Sequence, residues 1–164
     1  MHVYPKIALV TLVILVAAAC GSSGTSGSEC SGNSDCPSQC CVVGACTVSA
    51  AIGPEGGQLS TKLVALTIPA GALTATTTVT ITPSPAESGG KSLVFTVDLG
   101  GQILNSDATL TITFGSDTSD YVIVKRAAGP IFEKCDGSTS SSDGTISCPI
   151  SKGGAFMVAP APPQ

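Results

Sequence analysis

Cysteines and carboxylates carry whatever chemistry this sequence can do. Eight cysteines occur in 164 residues. Five of them, Cys30, Cys36, Cys40, Cys41 and Cys46, fall in one short stretch, Cys135 and Cys148 lie near the end, and Cys20 stands alone after an apolar run. The single histidine is His2. An exported chain that loses its leader would then have no imidazole for a Ser-His-Asp or Cys-His arrangement and none for a histidine-ligated metal. No G-x-S-x-G, H-E-x-x-H or phosphate-loop pattern is present. Asp117 and Asp120 share one loop, and Asp98 and Asp107 bracket another. Two facing carboxylates would suit a glycosidase, and several loop oxygens would suit calcium. Aspartate in a turn is more often a turn former. The sequence therefore predicts no catalytic residue, no metal site and no cofactor.

The N-terminus places the chain. Lys6 precedes an apolar run from Ile7 to Ala19 that ends in small residues. This is the pattern of a signal peptide. The run is short for a membrane span, which takes about 20 residues. The stretch Val16-Ala17-Ala18-Ala19-Cys20 resembles the lipobox of bacterial lipoproteins. That resemblance implies cleavage before Cys20 and lipid attachment to it. Ala17 stands where leucine is commoner in that family, and ordinary cleavage after Ala19 also fits the small-residue rule. Residues 21–28 follow, made only of Gly, Ser and Thr, a flexible tether between anchor and domain.

Cysteines this dense in an exported chain read as disulfides, because so small a segment cannot bury a core and cross-links take its place. Zinc is the weaker reading, since no C-x2-C or Cys/His spacing appears. The adjacent Cys40-Cys41 pair with its flanking spacings resembles knottin-like cysteine-rich modules. By that resemblance Cys30 would join Cys41 and Cys36 would join Cys46. A full knottin has a sixth cysteine, so Cys40 is left as the unpaired candidate. Nothing cationic beside Cys40 in sequence would activate it as a redox thiol. Cys135 and Cys148 flank an evident turn at residues 136–144. If the flanking strands form a hairpin, the two face each other, and closing this loop is worth about 3 kcal/mol in the chain-entropy model.

The elements that position these residues are strands. Charged residues are 11% of the chain and aromatics 4%, which suits β-branched strands joined by Gly/Ser/Pro turns. The expected runs are 63–68, 76–82, 93–97, 108–114, 121–125, 131–134, 145–148 and 156–158. Pro69 and Pro83 are read as strand ends. Leu110, Ile112 and Phe114 fall on one face, with threonines between them. No stretch has a helical period with caps. The fold class expected is all-β, an antiparallel β-sandwich. The formal net charge is −4, one unit more negative without Lys6. With no Lys/Arg cluster, nucleic acid is excluded as a partner, and so is electrostatic docking to anionic lipid.

Ile52-Gly53-Pro54-Glu55-Gly56-Gly57-Gln58-Leu59, Leu66-Thr67-Ile68-Pro69-Ala70-Gly71-Ala72-Leu73 and Thr78-Val79-Thr80-Ile81-Thr82-Pro83 together resemble the opening of ZU5 domains. The later Asp-Gly turns and the closing Gly-Gly-Ala-Phe-Met-Val fit the end of that domain. The resemblance covers about two-thirds of the chain and implies a β-sandwich used in protein–protein contacts and scaffolding. Some relatives cleave themselves at a His-Phe-Ser sequence. Here Lys152-Gly153-Gly154-Ala155-Phe156 stands in its place, so autoproteolysis is not expected. Gly53, Gly56 and Gly57 have a physical reading of their own, as positions needing positive φ or close backbone approach.

The expected organisation is therefore a signal peptide at 1–19, lipid-bearing Cys20 and tether at 20–28, a cysteine-rich module at 29–48, the ZU5-like sandwich at 49–160 and a tail at 161–164. The function expected is that of a membrane-anchored, non-catalytic binding module. Its partners would be the membrane, through the lipid, and an envelope or extracellular protein or glycan. The alternatives are a carbohydrate-active hydrolase using only carboxylates and a calcium-dependent adhesin.

Overall fold

The structure, a computed structural model, describes residues 41–42, 44–115, 118–129 and 131–161. The signal segment, Cys20, the tether, Cys30, Cys36, Cys40 and Asp117 lie outside the described residues. Among the described residues thirteen strands follow in order: β1 (Cys41–Val42), β2 (Ala45–Cys46), β3 (Val48–Ile52), β4 (Gly57–Ser60), β5 (Val64–Ile68), β6 (Thr77–Ser84), β7 (Val94–Asp98), β8 (Ile103–Thr113), β9 (Tyr121–Ala128), β10 (Ile131–Lys134), β11 (Thr139–Ser140), β12 (Thr145–Lys152) and β13 (Gly154–Pro160). A six-stranded sheet runs β10-β9-β13-β7-β6-β3 and a five-stranded sheet runs β11-β12-β8-β5-β4, with β1-β2 as a separate pair. All pairings are antiparallel. The chain is an all-β sandwich, as its alternating pattern requires.

Alternation puts one face of each sheet inside. In the five-stranded sheet, Leu59, Leu66, Leu110 and Cys148 form one cross-strand row, and Val64, Ile112 and Ile146 form another. Val48, Ile81 and Val97 face them from the six-stranded sheet, with Phe95 beside Phe156 and Ile123 beside Val158. All belong to one buried cluster. Full burial of a Leu, Ile, Val or Phe side chain contributes about 1.5–3 kcal/mol. The six-stranded sheet is unusual in carrying apolar residues outside as well: Val94, Val122, Val124 and Met157 form a second buried cluster. The segment after β6 crosses this outer side. Gly90 sits against Met157, the Lys91 amide donates to the Val158 carbonyl at 2.8 Å, and the Ser92 hydroxyl accepts from the Val158 amide at 2.8 Å.

Several strands differ from the sequence expectation. Pro83 does not end its strand; β6 runs through it to Ser84, with Pro83 opposite Phe95. The missing N–H is tolerated because β3 pairs with β6 only over residues 77–81, so one side of Pro83 faces no ladder. Pro149 sits in β12 for the same reason: β8 pairs with it, while β11 reaches only Ile146 and Ser147. Pro69 does end β5. The strand at 108–114 begins earlier, at Ile103, and β3 and β4 were not foreseen. Leu110 and Ile112 are fully buried. Phe114 is half-buried, just beyond β8, with its ring centroid 4.7 Å from that of Tyr121.

The strands flanking residues 136–144 do not form a hairpin. β10 belongs to the six-stranded sheet and β12 to the five-stranded one. Cys135 and Cys148 are nonetheless joined, with a Cα separation of 6.3 Å. The bridge therefore ties the two sheets together through the core, where both cysteines are buried. Cys41 and Cys46 stand opposite each other in the β1–β2 pair, and both are disulfide-bonded.

Candidate binding cleft

β12 and β13 lie in different sheets, so Lys152, Gly153 and Gly154 carry the chain from one layer to the other. Gly153 passes tightly over the neighbouring strand: a Cβ there would stand 2.6 Å from the Val97 carbonyl oxygen. Only glycine allows that approach. Two clefts flank this crossing, of about 400 Å³ and about 490 Å³, and both include Lys152, Gly153 and Gly154 in their walls.

The smaller cleft gathers the charge. Lys125 of β9 stands opposite Glu133 of β10. Lys125 is also in register with the inward-facing Phe156, so both charged residues lie on the inner face, beyond the apolar core. Asp107 and Lys152 line the cleft from the five-stranded sheet, and Asp136 from the segment after β10. A register shift between Ile150 and Lys152 re-aims the end of β12. The disulfide anchors this wall, since Cys135 also borders the cleft. Arg126, one residue after Lys125, turns to the outer side. It forms an ion pair with Glu87, and its guanidinium lies 5.2 Å from the centroid of Phe132. Among the described residues no ion pair joins Lys125, Lys152, Asp107, Glu133 and Asp136, so their charges remain available to a ligand.

The larger cleft runs along Thr96–Leu99 and Gly101–Ile103. Ile103 is 75% exposed there, one of two large apolar side chains in the open among the described residues; the other is Ile131 of β10, 60% exposed.

The carboxylates singled out in the sequence separate. Asp98 borders the larger cleft and Asp107 the smaller. The Asp98 carboxylate accepts from the Gly100 amide at 2.8 Å, which is turn formation. Asp120 is exposed, and its main-chain carbonyl accepts from the Ala161 amide at 2.8 Å. No group of three or more His, Cys, Asp or Glu side chains comes together as a metal site among the described residues. Asp107, Glu133 and Asp136 do line one cleft. The sequence reading missed Glu133 and Asp136, and with them Lys125 and Lys152. Lys125, Glu133 and Asp136 are near one another in the chain, but only the packing of the two sheets brings them against Asp107 and Lys152.

The motif residues serve the framework. Gly56 has φ +76°, whereas Gly53 and Gly57 are not among the positive-φ glycines. The Gly71 amide donates to the Pro54 carbonyl at 2.7 Å, and Gly57 pairs with Ile68. The two most distinctive segments thus clasp each other at one end of β4 and β5. Asp143 closes the turn before β12. The Thr145 hydroxyl donates to its carboxylate at 2.7 Å and the Thr145 amide at 3.1 Å. The Thr145 hydroxyl, and then Ser141, hold the Asp143 carboxyl below its ordinary value.

Among the described residues no helix is long and apolar enough to cross a membrane. No protein family matches the chain, and no curated protein matches it.

Proposed function

We propose that this chain is a lipid-anchored protein of the cell envelope whose ZU5-like sandwich serves as a non-catalytic protein-binding or structural module. Cys20 carries the lipid, residues 21–28 form the tether, and a disulfide-rich segment precedes the sandwich. The observation that carries the binding reading is the cleft beside Lys152–Gly154. It is built on rigid strands, braced by an inter-sheet disulfide, and lined by charges of both signs that are not spent on one another. The oxidised state of Cys135, Cys148, Cys41 and Cys46 supports a compartment outside the reducing cytosol.

The test begins with the intact mass of the membrane-extracted protein, with and without reductant. A chain starting at Cys20 with added acyl groups supports the anchor; an unlipidated chain with free thiols overturns it. Photo-crosslinking in whole cells from positions around the sandwich then asks whether a partner is held.

One observation favours a second reading. Asp107, Glu133 and Asp136 line one cleft, and a carboxylate-only hydrolase needs two carboxylates on one site. Release of reducing ends from envelope or host polysaccharide, lost in Glu133→Gln, would establish it.

A further inference from the structure

The six-stranded sheet comes apart at the smaller cleft. The ladder between β9 and β13 stops at Phe156 opposite Lys125. Past that point Arg126 and Ala128 pair only with β10, while Gly154 and Ala155 pair only with β7. Two strand edges therefore diverge, with Ala127 on one and Gly154 on the other, and among the described residues no ladder partner joins them across the gap. Every non-proline residue carries a main-chain donor and acceptor, and an open strand edge is a template for another strand.

The side chains around this gap narrow the choice of ligand. Lys125 and Glu133 offer one charge of each sign on one wall, and Lys152 and Asp107 do the same on the other. A phosphate or an acidic glycan would meet the carboxylates of Asp107, Glu133 and Asp136 as well as the ammonium groups of Lys125 and Lys152, and the carboxylates repel it. An uncharged saccharide would look for an open aromatic face, but Phe156, the aromatic of this cleft, is 2% exposed. A peptide strand answers both features. It supplies main-chain groups for the parted edges, and residues i and i+2 of a strand share a face.

We propose that this cleft receives an extended segment of a partner protein that presents an acidic and a basic side chain on one face, bound by strand addition at the parted edges of β9 and β13. The acidic group pairs with Lys125 and the basic group with Glu133, which stand opposite each other. The proposal rests on the binding-module reading and names the ligand class of that module.

The test uses the full chain, isotopically labelled and held in detergent, titrated with four end-blocked peptides: Thr-Glu-Thr-Lys-Thr, Thr-Glu-Thr-Glu-Thr, Thr-Lys-Thr-Lys-Thr and Thr-Gln-Thr-Gln-Thr. The mixed-charge peptide binds at least tenfold tighter than the other three, and its amide shift changes centre on Ala127, Gly153 and Gly154. The double variant Lys125→Ser, Glu133→Ser brings it down to the level of the neutral peptide while the fold, read from the remaining amide spectrum, is unchanged. Equal binding of all four peptides, changes confined to the outer sheet faces, or no change at millimolar peptide overturns the proposal. A photo-crosslinker at Ser151 in the cleft and another at Thr67 on the five-stranded sheet separate this failure from the broader one. Capture at Ser151 that the mixed peptide competes away supports the cleft. Capture at Thr67 alone overturns the cleft proposal and leaves the binding-module reading standing, and capture at neither position overturns both.

Discussion

Gly56 lies directly against the main chain that follows Ile68: a Cβ on Gly56 would stand 2.5 Å from the Ile68 carbonyl oxygen and 2.7 Å from the Ala70 nitrogen. The turn that ends the Gly-Pro-Glu-Gly-Gly segment is thus pressed onto the loop of the Ile-Pro-Ala-Gly-Ala-Leu segment. Gly56 also has φ +76°, where an L side chain costs about 1–2 kcal/mol.

Gly56→Ala combines that backbone cost with a clash against main-chain atoms that cannot swing away. The expected loss is about 2–4 kcal/mol, read as a lower denaturant midpoint with an unchanged slope. Gly71→Ala also places a side chain at positive φ, at +79°, but nothing lies within 4 Å of its Cβ. Its loss should stay near the backbone cost alone, about 1–2 kcal/mol.

Removing the inter-sheet bridge with Cys135→Ala and Cys148→Ala together should cost about 2–5 kcal/mol. The sequence separation is 13, and both cysteines are buried. Reductant should lower the unfolding midpoint of the unmodified chain and leave the contribution of this pair absent in the double variant.

Asp143 gives the fold a small pH dependence. Its folded carboxyl is held below the ordinary value by Thr145 and then Ser141, so the folded state favours the ionised form. That contribution is present above the unfolded carboxylate value of about 3.9 and is lost as pH falls through the lower folded value. The stability difference between the unmodified chain and Asp143→Ala should therefore shrink as pH is lowered from about 5 to about 2. A difference that grows on acidification would contradict the assignment.

Arg126 should matter more than its ion pair. Glu87→Gln removes only a solvent-exposed partner and should cost under about 1 kcal/mol, less at high salt. Arg126→Ala removes the guanidinium over Phe132 as well, so it should cost more and keep part of its effect at high salt. Thermal unfolding at low and high salt separates the two.

Cys20→Ser should move the protein from the membrane fraction to the soluble envelope fraction, because lipid on that residue is the proposed anchor. Retention of the variant in the membrane would sink the anchor.

The alternation of Val79 and Ile81, or of Leu110 and Ile112, with threonines made the strands and the all-β class legible, since a period of two is a local property of the chain. The sequence could also point to Cys135 and Cys148 as partners, but through a hairpin that does not exist. Their closeness comes from packing the end of β10 over β12 across two sheets, a long-range arrangement that turn chemistry does not encode. Pro83 misled for a related reason: proline is tolerated in a strand where its nitrogen faces no ladder partner, and which side of a strand is open is decided by sheet order. The cleft was illegible altogether. Lys125 and Glu133 fall at the ends of expected strands and Asp107 beside an expected loop, and nothing local marks them or Lys152 as neighbours. Local sequence alone determined the alternating runs that become β5 to β9, the oxidised state of Cys41, Cys46, Cys135 and Cys148 and the glycine that the Gly56 turn requires. Tertiary structure alone decided where β9 and β13 part and which charges meet there, because that depends on the register of strands brought together from across the chain.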